Sequence, residues 1–189
     1  MKIAIGYPPL ELKKGTPLLS QNRQFQWFTS PTYIYPVVPA YAATMLKQAG
    51  YEVFWLDGIA QGWSYKKWLK ELKKIKPDLL VMETKTPVVK KYWKIIKELK
   101  GFRDLELKIV LVGDHVTALP EESFQNSPVD FVLTGGDYDF LLLNLVNHLT
   151  KGEKLESGIW YRKKIRNSQF VIRNSGKFQL NHDLNSYPL

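Results

Sequence analysis

An α/β fold built on a doubly wound, five-stranded parallel sheet is predicted here by three observations. Short apolar runs rich in branched residues recur five times, at residues 2–6, 52–56, 79–83, 107–112 and 129–133. Each run is followed by a segment with apolar residues at helical spacing. The central runs are apolar at nearly every position, as in strands buried on both faces. Strand and helix alternating in this way mark a parallel sheet, and right-handed crossovers place helices on both of its faces.

The first strand, KIAIG, is stopped by Tyr7-Pro8-Pro9, because proline cannot continue a central strand. Residues 7–35 show no clear period and include Phe25, Trp27, Phe28, Tyr33 and Tyr35. They read as a long loop, functional or disordered, whose aromatic side chains stay exposed unless a cofactor or another domain covers them. A helix follows on Val37, Tyr41, Ala42, Met45, Leu46 and Ala49, with Gly50 just past its end. After the second strand and Asp57-Gly58, Ser64 is placed to cap a helix whose core face is Tyr65, Trp68, Leu69, Leu72 and Ile75. Pro77-Asp78 breaks it before the third strand, and Thr84-Lys85-Thr86-Pro87 turns into a helix on Val89, Tyr92, Trp93, Ile96 and Leu99. The fourth strand ends at Gly113, and a helix is predicted over about 119–125. The fifth strand ends in Thr134-Gly135-Gly136-Asp137, ahead of a helix over about 138–149.

The strand order this pattern predicts is 2-1-3-4-5, the flavodoxin-like (Rossmann-like) order. Ile3, Ile5, Val81, Val110 and Val112 should be buried in the sheet. Residues 159–162 and 169–173 read as a small β-hairpin lying outside the main sheet, and the last residues as a linker. The division expected is an α/β domain over 1–152 and a hairpin-plus-linker segment over 153–189.

Composition removes several function classes. The chain has 189 residues and no cysteine, so disulfides, thiolate metal sites and cysteine nucleophiles are excluded. No apolar run approaches the roughly 20 residues of a membrane span, and the N-terminal run is too short for a secretory signal, so a cytoplasmic location is expected. The net charge is +9, and residues 66–100 hold twelve lysines against four acids. These lysines alternate with apolar stripes and read as solvated outer faces of two helices, in preference to a nucleic-acid surface.

In open α/β sheets, ligands bind at the carboxyl ends of the strands. Four strand ends deliver small or hydroxyl residues there: Tyr7-Pro8-Pro9, Thr84 and Thr86, Gly113-Asp114-His115 with Thr117, and Thr134 with Gly135-Gly136. Glycines admit close approach of a large ligand, and threonines offer hydroxyls without charge. That suits a broad, amide-decorated ligand better than a compact phosphate. A dinucleotide fingerprint, a P-loop and a G-x-S-x-G elbow are all absent. The first and third strand ends, read as Tyr7 and Thr84, show no clustered acidic pocket. His115, His148 and His182 do not form a spaced metal set. Gly113 is placed where the chain passes closest to the ligand, so Gly113→Leu is expected to abolish binding with the fold intact.

The chain resembles the N-terminal cobalamin-binding domain of cobalamin-dependent radical S-adenosylmethionine enzymes. The resemblance runs through Tyr7-Pro8-Pro9, the segment VVPAYAA at 37–43, Gly50-Tyr51-Glu52-Val53 with Asp57, and Lys76-Pro77-Asp78-Leu79. It continues through Thr84-x-Thr86-Pro87, the GDHVTALPEE segment at 113–122, Val129-Asp130-Phe131-Val132, and Asp183-Leu184-x-Ser186-Tyr187-Pro188. Three features depart from the family pattern. Asp114 stands where a second glycine is usual, Lys85 separates the threonines, and Gly135-Gly136-Asp137-Tyr138 replaces a frequent Gly-Glu-Gly-Glu.

The resemblance implies cobalamin as cofactor, held by Tyr7, Pro8, Pro9, Thr84, Thr86, Gly113, Asp114, His115, Thr117, Gly135 and Gly136, with no catalytic residue and no metal ligand in this chain. It implies that the 4Fe–4S cluster and S-adenosylmethionine belong to a catalytic radical domain elsewhere in a longer chain, which is the expected partner. That enzyme would carry out methyl transfer, a radical rearrangement or a ring closure. Cobalamin mutases and methionine synthase place a histidine beneath cobalt with Asp-x-His-x-x-Gly after the first strand. Residues 7–35 hold no histidine, and Asp114 and His115 are adjacent, so a cobalamin bound here is expected to lack a histidine lower ligand. The alternative is a flavodoxin-like interaction module that binds nucleic acid or an acidic protein through the lysine-rich helices.

Overall fold

The strands form where branched apolar residues can be buried on both faces, in a computed structural model that describes residues 1–10, 15–18, 26–30, 33, 35–165 and 169–187. The elements are β1 (Lys2–Tyr7), β2 (Thr16–Leu18), β3 (Gln26–Phe28), α1 (Val37–Gln48), β4 (Glu52–Asp57), α2 (Tyr65–Ile75), β5 (Leu79–Glu83) and α3 (Val89–Gly101). They continue with β6 (Lys108–Val112), α4 (Asp114–Ala118), α5 (Pro120–Asn126), β7 (Phe131–Leu133), α6 (Tyr138–Lys151), β8 (Ile159–Lys164) and β9 (Phe170–Asn174). The main sheet runs β4-β1-β5-β6-β7-β8-β9. Its first five strands are parallel and take the predicted 2-1-3-4-5 order. Ile3 pairs with Val53 and Leu79, and Val110 with Val81 and Phe131, which fixes the register. Ile3, Ile5, Val81, Val110 and Val112 are all buried, as expected.

Local chemistry sets the helix ends. The Ser64 hydroxyl accepts the Lys67 N–H at 3.2 Å and opens α2. Lys76, in the left-handed region at φ 50°, closes it ahead of Pro77. α1 packs beside α6 on one face of the sheet. On the other face, Tyr65 donates to Glu98 at 2.9 Å, tying α2 to α3, and the Trp93 indole donates to Ser123 at 3.0 Å, tying α3 to α5.

Three expectations are corrected. The hairpin over 159–173 does not lie outside the main sheet: β8 pairs antiparallel with β7 and carries β9 at the new edge. The reason lies in β7, which is three residues long and would otherwise be an open edge. Ile159 is fully buried against it, and Arg162 donates to the Val129 carbonyl at 2.8 Å, to the Ser127 carbonyl at 2.7 Å and to the Phe124 carbonyl. Second, the segment after Pro9 is not wholly aperiodic, because β2 and β3 pair as a short antiparallel ribbon. Trp27 and Phe28 of that ribbon pack against the core rather than standing exposed, whereas Tyr33 and Tyr35 are exposed. Phe25 and Pro188 lie outside the described residues. Third, the helix predicted over about 119–125 is preceded by a short helix, α4, which holds Asp114, His115 and Thr117. Among the described residues, no helix is long and apolar enough to cross a membrane.

Candidate functional site at the carboxyl ends of the parallel strands

The adjacent strands β1, β5, β6 and β7 bring most of the predicted residues to one rim. Tyr7 ends β1 with its ring buried, and its hydroxyl donates to Glu83 Oε2 at 2.8 Å across to the end of β5. Pro8 is buried and Pro9 packs against the Asp57–Gly58 turn, so these prolines shape the edge of the rim and leave Tyr7 as its polar group.

Thr84 follows Glu83 and is fully buried, with its backbone N–H on the Val112 carbonyl at 2.9 Å. Its hydroxyl has no hydrogen-bond partner among the described residues. An orphaned buried hydroxyl is costly unless something completes it. Thr86 is exposed, and its hydroxyl lies 3.1 Å from His115 Nδ1. The His115 ring is buried and edge-on to Trp93. Its Nε2 lies 3.1 Å from Glu122 Oε2, without the alignment of a hydrogen bond. His115 is therefore packed into the α3–α5 side of the rim and is not presented toward its opening.

Two of the three departures from the family pattern meet each other. The buried Lys85 ammonium reaches the Asp114 carboxylate at 2.8 Å, while Asp114 itself stays exposed. The cation between the threonines is thus matched by the acid that replaces the second glycine, and the pair lies along one side of the rim.

The glycines act differently from expectation. Gly113 sits at φ 110°, and a Cβ there would fall 2.4 Å from the Thr84 carbonyl oxygen. It is required by the close approach of two backbones inside the protein, so Gly113→Leu would disturb the fold as well as any ligand. Gly135, at φ 93°, has the Phe178 ring where a Cβ would project, and its N–H donates to Thr117 Oγ1 at 3.1 Å. The Gly135 side of the rim is therefore covered, whereas Gly136 is open. The Thr134 hydroxyl donates to the Gly158 carbonyl at 2.9 Å and holds β8.

The covering segment, residues 175–187, is anchored, including the residues from 181 onward that read as a linker in the sequence. His182 stacks on Phe140 with centroids 4.4 Å apart, and its two ring nitrogens meet Asp137 at 3.2 Å and Glu156 at 2.9 Å. Tyr187 donates to Asp139 at 2.6 Å. Beside Phe178, Thr117, Pro120 and Trp160 line a cleft of about 540 Å³.

Glu83 is the rim residue that sequence reasoning missed. It is half-buried, and burial pushes its carboxyl up from 4.5 to about 7, against the Tyr7 hydrogen bond and Lys85, with Asp114 adding to the rise. Reading the third strand end as Thr84 set it aside. The available signal was an acid closing an otherwise apolar strand.

The fold is that of a Rossmann-like α/β domain, with a broad rim at the carboxyl ends of its parallel strands. No family model matches the chain. It is 27% identical over 171 residues to an uncharacterised methyltransferase of Pyrococcus horikoshii, covering 88% of this chain and 34% of that protein. The radical S-adenosylmethionine methyltransferase TsrM from Kitasatospora setae, solved with cobalamin and a 4Fe–4S cluster bound, is similar over 99% of this chain and 30% of its own, at TM-score 0.63 and 15% identity. The cobalamin-dependent S-adenosylmethionine radical enzyme OxsB, solved with aqua-cobalamin bound, is similar over 95% of this chain and 22% of its own, at TM-score 0.64 and 15% identity. The chain thus spans about a third or less of the length of these proteins. At such identity the structural likeness establishes the shared fold.

Proposed function

We propose that this chain is the cobalamin-binding part of a cobalamin-dependent radical S-adenosylmethionine enzyme, with methyl transfer as the activity of the whole protein. The observation that carries this reading is the unpartnered Thr84 hydroxyl, buried at the centre of a rim of neutral polar groups. It fits an amide-bearing ligand laid across the strand ends. Fold likeness to two proteins solved with cobalamin supports the ligand, and the methyltransferase relative supports the reaction class.

In this reading Thr84, Thr86 and Thr117 contact the ligand, Tyr7, Gly136 and the Lys85–Asp114 pair border it, and Gly113 and Gly135 shape the turns. His115 borders the ligand without ligating cobalt, because its ring is packed against Trp93 and engaged by Thr86. When bound, the corrinoid supplies a methyl-carrying cobalt, while this chain binds and orients it. Residues 1–152 form the binding unit, and residues 153–189 lead on to the radical domain that holds the cluster and S-adenosylmethionine.

Desalting after incubation with hydroxocobalamin tests the reading. One equivalent should co-elute with the protein, and the cobalt spectrum should be the same in His115→Ala. A spectrum that changes from histidine-ligated to unligated cobalt on that substitution would contradict the absence of a histidine lower ligand.

A further inference from the structure

Glu83 and Tyr7 form a hydrogen-bonded acid–phenol pair at the rim. They end two adjacent central strands, and Glu83 keeps part of its surface open while the Tyr7 ring is buried. The Glu83 stem lies along Gly113, since a Cβ on that glycine would come 3.3 Å from Glu83 Cγ. The Tyr7 hydroxyl donates to Oε2, which leaves Oε1 as the second oxygen to be completed.

Resting on the cobalamin reading, we propose that Glu83, oriented by Tyr7, is a proton-bearing contact at the floor of the rim: it is neutral when the corrinoid is bound, and loss of its proton weakens binding. A neutral carboxyl can donate from Oε1 to an amide carbonyl on the ligand. A carboxylate cannot, and a broad ligand laid over it strips its remaining water without replacing it.

The groups that face Glu83 are Tyr7 from β1, Tyr92 from α3, Tyr138 from α6, Lys85 from the turn after β5 and Asp114 from α4. Burial holds all three tyrosines well above their ordinary range, so they stay neutral near pH 7. Lys85 is engaged by Asp114. Glu83 is the member of this set placed to change charge near neutrality, and its burial raises it to about 7.

The test is the affinity of the domain for cyanocobalamin, which does not itself titrate near neutrality, measured across pH with wild type, Glu83→Gln and Tyr7→Phe. Wild-type affinity should be level at acid pH and then fall as pH rises past Glu83's titration, by up to about tenfold per pH unit. Glu83→Gln keeps an acceptor for Tyr7 and an amide donor in place of the acid proton, so it should bind with a flat profile. Tyr7→Phe removes a hydrogen bond that favours the ionised form and should move the fall to higher pH.

A flat wild-type profile with binding intact overturns the proposal and leaves the cobalamin reading standing. A fall that persists in Glu83→Gln assigns the titration to another group and overturns it equally. Loss of binding in all three proteins at every pH overturns the cobalamin reading and this inference together. Carboxyl titration in the ligand-free protein, followed by carbon NMR, separates the two independently. A Glu83 signal moving in the ordinary carboxylate range would overturn the proton-bearing role whatever the ligand.

Discussion

At the residue scale, Thr84 and Gly113 share one backbone contact and give opposite expectations. Thr84 carries a buried hydroxyl with no partner among the described residues, so the isosteric Thr84→Val removes a polar group that folding leaves uncompensated. Denaturant melting of Thr84→Val should show stability unchanged or slightly raised, while corrinoid binding weakens by about 0.5–1.5 kcal/mol. Lower stability together with unchanged binding would show that the hydroxyl serves the fold. Gly113→Ala should do the reverse. Its φ of 110° and the 2.4 Å approach to the Thr84 carbonyl make any side chain costly. Melting should show a loss of roughly 1–3 kcal/mol without any ligand present. The pair Lys85 and Asp114, 2.8 Å apart, should behave as one unit. A double-mutant cycle with Lys85→Met and Asp114→Gly should give a coupling of about 0.5–3 kcal/mol, the double variant losing less than the two singles combined.

At the element scale, the structure adds two attachments that join the end of the chain to the α/β layers. The first is Arg162, which holds β8 to the sheet through the carbonyls of Phe124, Ser127 and Val129. Arg162→Met leaves these acceptors without their donor, and melting should show a loss of at least about 2 kcal/mol. The second is the segment over 175–187, clasped by His182. Burial works against its imidazolium, but Glu156 and Asp137 outweigh that, so its titration is raised above the ordinary 6.5. A histidine raised in the folded state lends stability that is complete below its unfolded value and is lost as pH rises through the folded one. Protection factors in this segment, with the intrinsic pH dependence of amide exchange divided out, should therefore be highest at mildly acid pH and fall as pH climbs past that raised value. His182→Gln should remove the dependence; a dependence that survives would place the titrating group elsewhere.

The five parallel strands were legible because burial on both faces writes itself as unbroken apolar runs such as IVLV at 109–112. The hairpin's place was not legible. It depends on the open side of a three-residue strand and on an arginine reaching carbonyls more than 30 residues away. The candidate site was legible as a set of turn residues, but not in its chemistry. Lys85 and Asp114 are 29 residues apart, and Tyr7 and Glu83 are 76 apart. Only the strand order brings each pair together.

At the scale of the whole molecule, the lysine surplus and the candidate rim are segregated. The lysine surplus sits on α2 and α3, where Lys66, Lys70, Lys74, Lys90, Lys94 and Lys97 point to solvent. The rim lies at the carboxyl ends of the strands, where the charged groups are the Lys85–Asp114 pair and Glu83, whose carboxyl is pushed up to about 7 by burial. A surface of that kind binds polyanions through counterion release alone, so any nucleic-acid binding should be weak and should vanish at moderate salt. Tight, sequence-selective RNA binding at physiological salt would favour the interaction-module alternative.

The central claim, that this rim holds a corrinoid, is tested most directly by visible-absorption titration of the purified protein with hydroxocobalamin. Wild type should saturate at one equivalent. The double variant Thr84→Val, Thr86→Val should bind about one to two orders of magnitude more weakly, as the loss of two neutral hydrogen bonds requires. Phe170→Ser, on the distant β9 edge, should bind as wild type does. No saturable spectral change in wild type, or equal affinity in wild type and the double-threonine variant, would contradict the account.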